Sequence, residues 1–144
     1  MFFNLFIFSR GMKCIFRENY NKTKVSTVEE QEEETRLLVG LLITCRSFAT
    51  QMGPRSSTFS SYSTPQYKLH HFETASGLRF VLTTDPQVPD QHDFLQHVYA
   101  DYFVEYVVKN AMYQPARDVS NCMKFLDELK GALSRHEHFA KRAA

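Results

Sequence analysis

The stretch Phe2 to Phe8, FFNLFIF, constrains the fold more than any other. Read as a strand, it places Phe3, Leu5 and Ile7 on one face and Phe2, Phe6 and Phe8 on the other. A strand that is apolar on both faces needs cover on both. Two layers would leave half of it in water, so the stretch argues for helices above and below one sheet. Ser9, Arg10 and Gly11 supply turn chemistry, and Cys14, Ile15 and Phe16 read as a short return strand that completes a hairpin.

From Glu18 to Ser26 the chain is polar and reads as a surface loop. Thr27 followed by Glu30 is a capping-box pattern, with Ser26 and Glu29 as a second register, so a helix starts here. Glu29, Glu30, Glu32, Glu33 and Glu34 crowd its first turns, where carboxylates interact favourably with the helix N-terminus. Leu37, Leu38, Leu41, Leu42, Cys45, Phe48, Ala49 and Met52 form a stripe about 140° wide, a sheet-facing surface. Val39 and Ile43 lie off that stripe as a second contact patch. Gly53 and Pro54 end the helix.

The Ser-rich run from Gly53 to Pro65 reads as a loop that can hold a weak strand around Phe59 and Tyr62. Tyr67 to Thr74 and Leu78 to Thr84 are strands joined by a turn at Ala75, Ser76 and Gly77. Asp85 to Asp90, with Pro86 and Pro89, breaks the chain before a central helix that ends near Asn110. At the helical period Phe94, Leu95, Val98, Tyr99, Tyr102, Phe103 and Tyr106 share one broad face of it. Val104, Val107 and Val108 extend the apolar surface around the remaining circumference, which asks for cover on a second side. A last helix is expected from about Ser120 to His136, with Cys122, Phe125, Leu126, Leu129 and Leu133 at helical spacing.

The order is two strands, a long helix, two or three strands, then two helices. This is one α+β domain over residues 1–144, with a mostly antiparallel sheet covered on both sides. The connectivity admits longin and profilin-like arrangements. At 144 residues and 43% hydrophobic content, with 13 Phe and seven Tyr, one core is expected.

Lys and Arg number 17 against 16 Asp and Glu, a balance that argues against nucleic acid as a partner. Cys14, Cys45 and Cys122 are far apart and form no CxxC pair, which points to a reducing compartment. No apolar run reaches the roughly 18 residues of a membrane span, so membrane contact is expected only indirectly. No phosphate-binding glycine loop, G-x-S-x-G elbow or H-E-x-x-H is present, and the chain is expected to be neither an enzyme nor a cofactor or metal binder. His70 and His71 fall on opposite faces of their strand and cannot share one metal without distortion. His92 with His97, and His136 with His138, lack the spacings that zinc sites use.

The opening LFIFSR, the strand YKLHHFET from Tyr67 to Thr74 and the helix end YVVKN up to Asn110 together resemble the small longin-like subunits of the TRAPP vesicle-tethering complex. The resemblance runs over nearly the whole chain. It implies a longin (SNARE-like) fold with a five-stranded sheet, one strand lying near Phe59, sandwiched between the first long helix and the last two. It also implies partners: other TRAPP subunits of the longin-like and helical classes, packed in a flat rod, and through that assembly a Rab-family GTPase whose nucleotide exchange it promotes between endoplasmic reticulum and Golgi. The chain would then be cytoplasmic and peripheral on cis-Golgi and ER-Golgi membranes. Ala111 stands where the family has proline, and the polar ending SRHEHFAKRAA departs from its more apolar one. Val39, Ile43, Val104, Val107, Val108 and Lys109 are the positions expected to meet partners; Lys109 with Asn110 also suits helix termination. An adaptor small chain of another trafficking complex and a ligand-sensing profilin-like module are the alternative functions.

Overall fold

The doubly apolar strand does sit between two layers. In the computed structural model, which describes residues 1–20, 27–53, 61–111, 119 and 122–139, β1 (Phe2–Phe8) pairs on one edge with β2 (Cys14–Asn19) and on the other with β5 (Arg79–Thr84). With β4 (Lys68–Glu73) and β3 (Ser61–Ser63) the sheet runs β2-β1-β5-β4-β3, and each neighbouring pair is antiparallel. On one face lies α1 (Val28–Met52). On the other lie α2 (His92–His97), which runs without a break into π1 (Val98–Val108), and α3 (Met123–Arg135). This is the α+β, longin-like sandwich that β1 called for.

Two cores follow from the two faces. Phe6, Phe8, Leu69 and Val81 pack with Leu38 and Leu42 of α1. Phe2, Leu5, Ile7, Phe80 and Leu82 pack with Leu95, Val98, Phe103 and Val107, and with Phe125, Leu129 and Leu133 of α3. Phe2, Phe6, Phe8, Phe80, Phe103 and Phe125 are all fully buried, and each contributes about 1.5–3 kcal/mol by leaving water.

Simple alternation misassigned the first two residues. The register of β1 against β5 shifts between Phe2 and Asn4, and a bulge of this kind moves a side chain to the other face. Phe2 accordingly joins Leu5 and Ile7, with its ring 5.8 Å from Phe94 and 4.8 Å from His136. Phe3 is left on the α1 side, beside Phe6.

β2 also runs farther than expected. Glu18 and Asn19 are paired strand residues, opposite Leu5 and Asn4, not loop. An edge strand tolerates polar side chains, so composition alone hid it. The weak third strand forms at Ser61–Ser63 with Tyr62 opposite Leu69; Phe59, like Pro54 and Ser120, lies outside the described residues.

The helix π1 carries i→i+5 hydrogen bonding, ending with Lys109 N–H donating to Val104 O at 3.1 Å. Its buried residues are Val98, Phe103 and Val107. Val98 and Val107 are nine residues apart, which is half a turn out of phase in an α-helix. When each turn takes in an extra residue, the same nine residues make about two complete turns and both face the sheet.

Candidate partner interface

Polar pins orient α1 before its apolar residues do. Thr27 Oγ1 accepts from Glu30 N–H at 3.2 Å, and Glu30 Oε2 accepts from Thr27 N–H at 3.3 Å, so the expected capping box forms. Arg17 then reaches from β2 to α1, bonding Glu34 at 3.0 Å, Thr35 Oγ1 at 2.8 Å and the Gln31 carbonyl. Farther along, Arg46 pairs with Glu73 of β4 at 3.6 Å. With both halves tied, Leu38 and Leu42 point into the sheet and are the buried residues of this helix.

The buried line therefore sits about 50° around the helix axis from the middle of the expected stripe, at 100° per residue. One flank of the stripe stays uncovered: Leu37 is 66% exposed, Phe48 65% and Met52 74%. Leu41 is half-buried at the border. The helical period alone puts Leu37, Phe48 and Met52 on the sheet-facing stripe. The signal was present in Arg17, whose pull toward Gln31 and Glu34 sets the rotation, but a partner 14 to 18 residues away is not visible in periodicity.

The six expected interface positions do not form one surface. Val39 is half-buried against the α1-side core, not off the buried face, and Ile43 is 52% exposed. Val104, Val107 and Val108 lie across the sheet on π1, and Lys109 caps that helix. Val107 is 2% exposed and belongs to this domain's own core; the wide helical turns bring it round beneath Val98, which removes it from any partner surface. Val108 is half-buried against the same core, and Val104 is half-buried. Lys109 reaches outward and pairs with Glu105 at 2.9 Å.

Of the histidines, His70 is the most enclosed. Its Nδ1 accepts from Gln91 N–H at 3.3 Å, so Nε2 carries the proton and donates to Thr84 Oγ1 at 2.9 Å. Thr84 in turn donates to the Asp85 carbonyl at 3.0 Å. Burial, with Lys68 adding to it, pulls the His70 pKa from 6.5 down to about 4, so the ring is neutral and ties the ends of β4 and β5 to the start of α2. His71 faces the other way, level with Val81. Among the described residues there is no cluster of three or more His, Cys, Asp or Glu that could hold a metal, and no helix is long and apolar enough to cross a membrane. What the surface of α1 presents is an exposed apolar flank of Leu37, Phe48 and Met52.

Residues 2–136 match the Sybindin-like family. Over 97% of this chain and 99% of its relative, the sequence is 37% identical to trafficking protein particle complex subunit 1 of Dictyostelium discoideum. It is 36% identical to human trafficking protein particle complex subunit 1 over 76% of each chain. The Saccharomyces cerevisiae trafficking protein particle complex subunit BET5 is 31% identical, over 76% of this chain and 74% of that one. A solved structure described as MglB with tetrameric arrangement has a TM-score of 0.43 at 12% identity, over 61% of this chain and 63% of that one, too distant a likeness to decide fold or function. The match to residues 2–136, together with a relative spanned almost end to end, places the chain in the Sybindin-like family.

Proposed function

We infer that this chain is a core subunit of a trafficking protein particle (TRAPP) complex, in the place its relatives hold as subunit 1. The observation that carries this reading is the uncovered flank of α1. Leu37, Phe48 and Met52 extend about 22 Å along a helix that already has its own core face, and a contiguous apolar strip of that kind marks a protein contact. Ile43 borders α1 on the opposite flank. Val104 and Lys109, beyond the sheet, offer a separate surface. An interior member of a rod needs neighbours on two sides: the apolar flank of α1 offers one surface, and half-buried Val104 with charged Lys109 the other.

In this role the chain does no chemistry of its own. Nucleotide release from a GTPase requires a surface that binds the empty GTPase better than the loaded one. A sandwich with a core on each face of its sheet can contribute part of such a surface, alongside longin-like and helical partner subunits. The GTPase is of the Rab family, the process is transport between endoplasmic reticulum and Golgi, and the chain is cytoplasmic, reaching cis-Golgi and ER-Golgi membranes only through the assembly. The test is reconstitution: the assembled subunits, with and without this chain, are mixed with a fluorescent-nucleotide-loaded Rab GTPase. Exchange that collapses when the chain is omitted supports the role. Equal release without it refutes the contribution to exchange.

A further inference from the structure

On the sheet face that carries α1, cross-strand neighbours form one row: Asn19 on β2, Asn4 on β1, Thr83 on β5 and Leu69 on β4. Three of these four are polar, an unusual choice beneath a helix. Asn4 is 7% exposed. Its Oδ1, like Thr83 Oγ1 and Asn19 Oδ1, is buried without a hydrogen-bond partner among the described residues. The Asn4 amide is oriented by its other end, where Nδ2 donates to Glu34 Oε1 at 3.4 Å. Glu34 is ion-paired with Arg17 at 3.0 Å and so only accepts. Oδ1 is therefore the free acceptor.

Asn4 and Thr83 line a pocket of about 430 Å³ between sheet and α1, whose walls are mostly apolar, with Phe3, Leu37, Leu41 and Tyr67 among them. Apolar walls with a few convergent polar groups are the make-up of a small-molecule site, and pockets of about 300 to 1,000 Å³ serve as such. Glu34, also on the wall, is neutralised by its pairing with Arg17, so the pocket offers no net charge to hold an ionic head.

We propose that this pocket binds a small, uncharged amphipathic molecule. Its apolar chain lies against Phe3, Leu37, Leu41 and Tyr67, and its hydroxyl or amide head donates to Asn4 Oδ1 and pairs with the Thr83 hydroxyl. The site shares Leu37 with the flank proposed to seat a partner, and the binding is a property of the isolated chain.

The test is an NMR titration of the full chain with 1-octanol, with its isomer 1-methoxyheptane, which accepts but cannot donate, and with octanoate. Octanol should shift the Asn4 side-chain amide and the Thr83 signals saturably. The ether and the carboxylate should bind about fivefold more weakly or worse, the margin of one buried hydrogen bond. Thr83→Val should weaken octanol and the ether by a similar factor, since the oxygen of each accepts from that hydroxyl, and Thr83→Ser should restore both, with melting temperatures confirming that both variants fold. Equal affinity for octanol and the ether, or no change at Asn4 and Thr83 at saturating octanol, would overturn the proposal. So would shifts at these residues that appear only when a partner subunit is added, which would assign the pocket to a partner side chain.

Discussion

Gly77 holds φ at +90° in the turn between β4 and β5, a conformation L side chains rarely adopt, and a Cβ there would stand 2.8 Å from Arg10 Cγ. Gly77→Ala is predicted to cost about 1–3 kcal/mol, measured as a drop in unfolding free energy by urea titration. His70 gives a pH prediction with a definite sign. Its folded pKa, about 4, lies below the ordinary 6.5, so unfolding takes up a proton between those values. The stabilisation is complete above about pH 6.5 and is lost as pH falls toward 4, by roughly 3 kcal/mol over the window. His70→Gln should flatten the stability profile across that window while lowering stability at neutral pH. That His70 and His71 face opposite ways could be read from the strand period alone. The bonds to Thr84 and Gln91 could not, because they join residues 14 and 21 positions apart through a turn the sequence only marks as polar.

Elements were easier to read than their rotations. β1, α1 with its capping box and the second hairpin follow from local signals: alternation, the Thr27 and Glu30 pair, and Gly77 between two apolar runs. What escaped is the phase of two helices. In α1 the polar pins Arg17 and Arg46 turned the apolar stripe off the sheet. In π1 a change of helical period moved Val107 inward, a choice made by packing against Phe80, Phe125 and their neighbours and not by propensity. The difference is testable. Val107→Asp should destabilise the domain by about 3 kcal/mol or more, since it buries a charge with no partner. Val104→Asp should leave it within about 1 kcal/mol of wild type. Thermal unfolding of both variants decides, and two small and similar losses would mean that the helix keeps the α period throughout.

For the whole molecule, one strand with two apolar faces was enough to fix three layers, and the layers leave each outer helix with a solvent side. The sequence places the expected partner positions on both sides of the sheet, at Val39 and Ile43 and at Val104 to Lys109, and none on the flank of Leu37, Phe48 and Met52. Leu37, Phe48 and Met52 were hidden because a stripe that is continuous on the helical wheel reads as core until its rotation is known. A salt bridge of 3.0 Å between Arg17 and Glu34 holds that rotation. Arg17→Ala should therefore loosen α1 and raise hydrogen exchange along Val28–Met52 before it affects the opposite core.

The claim that the exposed flank of α1 seats a partner subunit is tested most directly by paired affinity purification from cells expressing either the wild-type chain or Leu37→Asp with Phe48→Asp. Each eluate is sized by chromatography and its proteins quantified by mass spectrometry. The predicted result is one large particle containing longin-like and helical TRAPP subunits with the wild type, and at least tenfold less of one of them with the variant, a loss of about 1.4 kcal/mol or more, while the variant alone melts as the wild type does. Undiminished recovery of all subunits by a folded variant, or a wild-type chain recovered without TRAPP subunits, would contradict the account.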